Sequence, residues 1–304
     1  MNIEYQGYDI SGMVNVRNCI VKDTAGRADC LEIEFENAEG WYRWQPNEDD
    51  EIVVKQDSYS SGIMYVNMIL PGDGKFRIIA TSLPCKAREK RYKSFIDKTI
   101  EEIVMTCAKI SGMDYRLYGV DPHTKIPYIE MDNEGCSAFL NRLMCLESAT
   151  LKCVNGRYTA IGIGYAQDKE PCQTIKLSAR QNGYQHMRNG MAFRKIEINT
   201  PYANATAEDT SVPDTHRNIL ADDIFPLDDI QGKRWCKGRL LDLNRKTESL
   251  YIQTDFNPGL TAMVRVDIQG NTDATGEWLV EEVVQDLKNR KTTSLMHRCI
   301  RTIE

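Results

Sequence analysis

A chain of 304 residues is long for one compact unit, so two or three units are the starting expectation. A hydrophobic fraction of 41% with 27% charged residues supplies cores and solvated surface, which excludes a disordered chain. The formal charge of −6 argues against nucleic-acid binders, which carry a basic face, so no sequence-specific nucleic-acid binding is expected.

The N-terminus "MNIEYQGYDI" has neither a basic start nor an apolar centre and does not read as a signal peptide. No run of about 18 apolar residues occurs, so no membrane span is expected. The ten cysteines (19, 30, 85, 107, 136, 145, 153, 172, 236 and 299) form no C-x-x-C pair. In a reducing cytoplasm they read as small buried hydrophobes. His123, His186, His216 and His297 show no ligand spacing apart from His297 with Cys299. Two ligands do not make a zinc site, so no metal or cofactor is expected.

In chain order, the pattern to about Pro84 has period two. "VNVRNCI" is one strand; in "CLEIEFE", Leu31, Ile33 and Phe35 face one way and Glu32, Glu34 and Glu36 the other. "EIVVKQ", "GIMYVNMIL" and "KFRIIATS" follow, the last two joined by the turn "PGDG". Short strands with Gly-rich turns predict an antiparallel barrel or sandwich. The stretch "REKRYKSFIDKTIEEIVMTCAKISGM" puts Phe95, Ile96, Ile100, Ile103, Val104, Cys107 and Ile110 at helical spacing, with Gly112 as the stop. "DYRLYGV" and "IPYIEM" read as strands, and "CSAFLNRLMCLESA" as a second amphipathic helix. "LKCVNGRYTAIGIGY" reads as a hairpin turning at Asn155-Gly156.

After Pro171, "TIKLSARQ" and "MAFRKIEINT" return to strand. Pro201 to Ile230 has little periodicity and reads as a long surface excursion reaching a neighbour. "WCKGRLLDLN", "SLYIQT", "MVRVDIQ", "EWLVEEVVQD" and "TSLMHRCIRTI" are the closing strands. The fold class is therefore mainly β with an α/β insertion. Residues 1–85 form a first barrel, completed by strands from 172–200, and 86–170 are a helix–strand–helix–hairpin unit. Residues 171–231 hold the returning strands and the excursion, and 232–304 form a second barrel.

Two segments repeat. "EIVVKQ", Gly62, Val66, Ile69, Leu70 and "KFRIIATS" lie over "MVRVDIQ", Gly276, Val280, Val283, Val284 and "TSLMHRC". Both valines fall four residues after the glycine, and both apolar pairs seven and eight after it. A duplicated barrel with an insertion is the simplest account.

Catalytic signatures are missing. Glu32, Glu34 and Glu36 stand about 6.5 to 7 Å apart along one strand face, a separation compatible with glycosidase geometry. A catalytic pair needs two different environments, which a uniform row does not offer, so the row reads as an acidic solvent face. No G-x-S-x-G, H-E-x-x-H or P-loop pattern occurs. "SYSSG" reads as a hairpin loop, and the sequon Asn204-Ala205-Thr206 carries no meaning without secretion. Trp41 and Trp44 beside Pro46 can stack a sugar, anchor an interface, or plug one end of a barrel. Tyr65 and Trp278, each on a repeated strand, join them as interface or framework candidates.

The order of these features resembles a known family. "RADCLEIEFENAEGWYRWQPNEDDEIVV" resembles the N-terminal segment of phage late-control D-type proteins, the baseplate hubs of contractile tails. "SSGIMYVNMIL", "FRIIATS" and "YKSFIDKTIEEIVMTCAKISGMDYRLYG" follow as in that family, and "SAFLNRLMCLESATLKCVNGRYTAIG" is similar to its second helix and hairpin. "PGLTAMVRVDIQ", "TGEWLVEEVVQD" and "TTSLMHRC" resemble its closing barrel. Two departures are a missing histidine at Gln285 or Asp286 and the acidic "NEDDEI". The chain ends soon after the second barrel, so a spike or cell-wall hydrolase is expected to be a separate protein.

The resemblance implies a non-enzymatic homotrimer folded in the bacterial cytoplasm and built into a virion or phage-tail-like bacteriocin. Two tube-type barrels per chain would form a ring of six that joins the sixfold tail tube to the threefold spike. Implied partners are the tail tube protein, the central spike protein, baseplate wedge proteins and the tape-measure protein. The row Glu32, Glu34 and Glu36 would face either lumen or solvent. The alternatives are a cell-wall hydrolase using the acidic row and a carbohydrate-binding tail component using Trp41 and Trp44.

Overall fold

The computed structural model describes residues 1–36, 45–72, 74–178, 183–189, 192–215 and 217–304, so Trp41 and Trp44 lie outside the described residues. Alternation builds the first half from β1 (Asn2–Tyr5), β2 (Tyr8–Asp9), β3 (Val16–Thr24), β4 (Cys30–Phe35), β5 (Glu51–Gln56), β6 (Tyr59–Ser60), β7 (Met64–Gly72) and β8 (Lys75–Thr81). Five of these stand in the spatial order β5-β7-β8-β4-β3, every pair antiparallel. Their inward residues, among them Val21, Leu31, Ile33, Phe35, Val66 and Ile78, form one apolar core.

The insertion holds α1 (Cys85–Arg88), β9 (Arg91–Thr99), α2 (Ile100–Ser111), β10 (Asp114–Tyr118), β11 (Lys125–Glu134), α3 (Cys136–Leu146), β12 (Ala149–Val154), β13 (Arg157–Gly162) and α4 (Ile163–Asp168). The first expected helix is shorter than its periodicity suggested. Thr99 and Glu102 form a reciprocal capping box that starts α2 at Ile100, so Phe95 and Ile96 belong to strand β9. Adjacent residues on a strand face opposite ways, and here Phe95 is buried while Ile96 is 64% exposed. The β12–β13 hairpin turns at Asn155 (φ 50°) and Gly156 (φ 68°), the two left-handed residues of a type I′ turn.

The rest of the chain comprises β14 (Gln173–Leu177), β15 (Tyr184–Arg188), β16 (Phe193–Asn199), β17 (Asn204–Glu208), β18 (Arg217–Leu220), α5 (Asp229–Arg245), β19 (Glu248–Asp255), β20 (Arg265–Gly270), β21 (Gly276–Asp286) and β22 (Lys291–Arg298). Three expectations need correction. The returning strands β14 and β15 pair with β20 and β19, so they complete the second half and not the first. The 201–230 excursion contains β17 and β18, which flank β16 in a separate sheet. "WCKGRLLDLN" is helix and not strand: Asp228 caps α5 by accepting from the Gln231 N–H at 2.7 Å.

Gly238 sits inside the segment that was expected to be a strand. It is the point where α5 crosses the end of α3, and a Cβ there would collide with the carbonyl oxygens of Cys145 and Leu146. Gly238→Ala must therefore push the helices apart, and we expect a loss of about 1–3 kcal/mol in chemical denaturation. An unchanged midpoint would contradict this packing.

The second half repeats the first, and from Asp49 to Val66 it does so at one constant offset. Its spatial order, β20-β21-β22-β19-β15, matches β5-β7-β8-β4-β3 strand for strand. Asp49 and Met263 both adopt φ 70°, and Gly62 and Gly276 both have positive φ. Val66 donates to the Asp50 carbonyl as Val280 does to that of Val264, at 2.9 and 3.0 Å. Each long strand is then bulged at one place, after Val66 in β7 and after Val280 in β21.

Neither half closes into a barrel among the described residues. The strand edge that would close the first half, β3, pairs with β21 through Glu282–Thr24 to Asp286–Ile20. A strand has only two edges, so this joint fuses the halves into one open, continuous sheet.

Candidate functional site

Three parts of the chain meet beside the β3–β21 joint. The loop between β3 and β4 enters from the first half, β12 from the insertion, and the segment before β20 from the second half. Asp23 ends the inward row Cys19, Val21, Asp23 of β3, so the alternation that buries an apolar face also buries its carboxylate. Lys152 of β12 forms an ion pair with it, with only a tenth of its side chain exposed, and the Ala262 N–H donates to the other Asp23 oxygen at 3.2 Å. Asp29, 3% exposed, accepts from the Thr24 N–H at 3.0 Å, and its own N–H donates to Ser82 Oγ at 2.9 Å. Burial, helped by the Asp23 charge and opposed by Lys152, pushes the Asp29 carboxyl up to about 7.

A cavity of about 470 Å³ opens beside this cluster, lined in part by Gly26, Arg27, Asn141, Arg245, Glu281 and His297. Arg245 is held by Glu281 at 2.6 and 3.2 Å and by Asp242 at 3.4 Å. Burial pushes the His297 imidazole below its ordinary value, favouring the neutral ring. Nearer the start of α5, Glu147 ties the insertion to that helix by accepting from Arg234 Nε at 2.9 Å and Trp235 Nε1 at 2.8 Å. Lys152 and Arg245 are each held by a carboxylate of another element, an arrangement that fastens elements together. Among the described residues, no group of three or more His, Cys, Asp or Glu side chains could hold a metal ion.

The residues singled out by sequence are scattered around this junction. Glu32 and Glu34 lie on the outer face of β4 and Glu36 just beyond it. The row is not bare: Glu32 pairs with Arg77 at 3.0 Å, and Glu34 with Arg17 at 3.4 Å and Lys75 at 3.6 Å. Trp278 is fully buried in the second core, donating to the Ala274 carbonyl at 2.8 Å, with Arg298 over its ring at 4.5 Å. Tyr65 is half-buried on β7, where burial and the Glu51 and Asp49 charges raise its phenol pKa. Pro46 is half-buried outside any strand. Five cysteines are buried, but Cys85 and Cys172 are exposed, so the uniform buried reading fails for them.

Asp23, Asp29 and Lys152 escaped sequence reasoning because they come together only in three dimensions. The available signal was a charge at an inward position of an alternating strand, as Asp23 is. The excursion also leaves a group of large apolar side chains outward: Tyr202, Leu220, Phe225, Leu227 and Ile230. Among the described residues, no helix is long and apolar enough to cross a membrane.

No protein-family profile and no curated protein sequence matches the chain. Solved structures do. The chain is similar to the 43 kDa tail protein of prophage MuSo2 from Shewanella oneidensis, with a TM-score of 0.70 at 13% identity over 99% of this chain and 98% of that one. A tail protein from Neisseria meningitidis MC58 matches with a TM-score of 0.73 at 10% identity, covering 98% and 95%. The E. coli c3393 protein matches with a TM-score of 0.65 at 11% identity, covering 97% and 76%. That protein is described as a component of the type VI secretion system with structural similarity to the T4 bacteriophage tail proteins gp27 and gp5. The likeness runs from end to end and includes both repeated halves and the insertion between them, so the chain has the fold of these tail proteins.

Proposed function

We propose that the chain is the structural hub of a contractile phage tail or phage-tail-like bacteriocin, assembled as a homotrimer. The two like halves of each chain stand for two of six positions in a ring, so the assembly meets a sixfold tube on one side and a threefold spike on the other. One observation carries this: the halves share strand order, the place of the bulge and two positive-φ positions, although few of the side chains agree. The backbone of one unit thus occurs twice in one chain, as a ring of six made from three copies requires. The fold likeness to tail proteins supports the same reading.

In this reading the chain is a scaffold and catalyses nothing. The tail tube, spike, wedge and tape-measure proteins are its partners, and the apolar side chains of the excursion reach a neighbour. Glu32 and Glu34 of the acidic row carry their own counter-ions, so whichever surface the row faces is of mixed charge rather than strongly acidic. Mass photometry of the purified chain, alone and with the tube protein of its own tail, tests the assembly. We expect a species of three chains that co-migrates with tube protein; a chain that stays monomeric in both conditions contradicts the hub.

A further inference from the structure

Among the described residues, two strand edges are open, and each is the counterpart of an edge that is paired. The joint between halves uses the outer edge of β3 and the distal part of β21. In the repeat, β15 stands where β3 stands and β7 where β21 stands. Among the described residues, β15 has one strand neighbour, β19, and β7 beyond its bulge has only β8.

The backbone polarity of both edges matches the existing joint. The Leu287 N–H donates to the Cys19 carbonyl and the Ala25 N–H to the Glu281 carbonyl, each at 2.9 Å, so residues 19, 21 and 23 turn their polar groups to β21. In β15, the Asn189 N–H donates to the Thr247 carbonyl and the Gly183 carbonyl accepts from Gln253, each at 2.7 Å. Residues 183 and 189 thus face β19, and Tyr184, His186 and Arg188 face outward. In β7, Val66 bonds away from β8 to Asp50 and Asp49, and past the bulge Ile69 and Pro71 turn the same way.

We propose that β15 of one copy pairs antiparallel with the distal part of β7 of a second copy, repeating between chains the β3–β21 joint found within each chain. This deepens the hub reading and rests on it. The register follows from the repeat. Leu31 and Leu250 stand opposite Ala80 and Met296, which in turn face Val66 and Val280. His186 then takes the place of Val21 and Met187 that of Lys22. The pairs Val284–Lys22 and Val283–Asp23 become Leu70–Met187 and Ile69–Arg188 between copies. Pro71 has no N–H to donate and ends the ladder there.

Side chains on the two edges agree with this. Within the chain, Lys22 and Glu282 bridge the joint at 3.1 Å. Their counterparts are Met187 and Met68, which are 43% and 46% exposed. An ion pair in the intrachain joint is thus replaced by two methionines that only a second copy would bring together.

A cystine tests the register. Leu70 and Met187 would form a non-hydrogen-bonded pair, whose Cα separation of about 4.5 Å suits a disulfide. Under mild oxidation, the Leu70→Cys/Met187→Cys chain should give a reducible ladder of two and three linked chains. Its yield should exceed by at least about tenfold that of wild type, both single variants and the Leu70→Cys/Gln185→Cys control, whose diagonal separation of about 7–8 Å resists bridging. A trimer by mass photometry that links no better than these controls overturns the strand pairing and leaves the hub standing. A chain that never forms a trimer overturns both.

Arg188→Pro supplies a second test, because the Arg188 N–H points away from β19 and proline there removes no intrachain ladder bond. Relative to Arg188→Ala, we expect an unchanged circular dichroism spectrum and trimer dissociation at about tenfold higher concentration. Equal dissociation of the two variants would overturn the pairing.

Discussion

Lys152→Ala should lose about 3–5 kcal/mol of folding stability at pH 8, because it leaves the buried Asp23 carboxylate with no cation and Asp29 beside it. The loss should be smaller at pH 5. Asp29 titrates near 7 in the folded chain and near 3.8 when unfolded, so between those values the folded state binds the extra proton. Its contribution to stability is therefore most favourable below about pH 4, declines as pH rises to about 7, and is level above that. Lys152 is one of the groups that holds this carboxyl down, so its removal lifts the folded pKa and extends the decline to higher pH. Chemical denaturation of both chains at pH 5 and pH 8 checks this. An equal cost at the two pH values would show that the cluster is not coupled as the structure has it.

Trp278→Ala is the second large effect expected. Trp278 is among the largest fully buried side chains, on a strand paired to both β20 and β22. Its ring meets His186 of β15 edge-on at 5.6 Å and carries Arg298 on its face. Truncation removes the apolar filling and leaves a cavity, a loss of about 3–5 kcal/mol. Since the ring also supports β15, trimer formation should weaken along with the fold. Differential scanning calorimetry and mass photometry on one sample separate the two readouts. A variant of unchanged Tm would contradict the core placement of Trp278.

The elements legible in sequence were those whose local signals agree. The Leu31, Ile33, Phe35 alternation and the Asn155-Gly156 turn lie where periodicity and turn chemistry put them. Elements failed where two signals competed. Phe95 and Ile96 fit a helical stripe, but the Thr99 capping box decides where the helix starts. "WCKGRLLDLN" was expected to be a strand, and the glycine at 238 makes sense inside a helix only once the crossing helix is known. Barrels were expected from the short strands with Gly-rich turns, the internal repeat and the family resemblance. The edge needed for closure is spent on β21, a pairing across more than 250 residues of chain that no local pattern encodes.

The same limit governs the candidate site. Val66 and Val280 signalled a repeat from their spacing to a glycine. The bulges, the paired carbonyls and the two open edges that give the repeat its meaning are properties of backbone pairing. The row Glu32, Glu34 and Glu36 looked uniform in sequence because its partners Arg17, Lys75 and Arg77 come from neighbouring strands. Asp23 and Lys152 are invisible as a pair for the same reason, being 129 residues apart.

The most direct test of the hub is cryo-electron microscopy of the purified, full-length chain. Top views should show a threefold particle with six similar lobes around a central opening, alternating between the two halves of successive chains. Monomers, dimers, or a threefold particle whose two halves occupy different radii would contradict the ring.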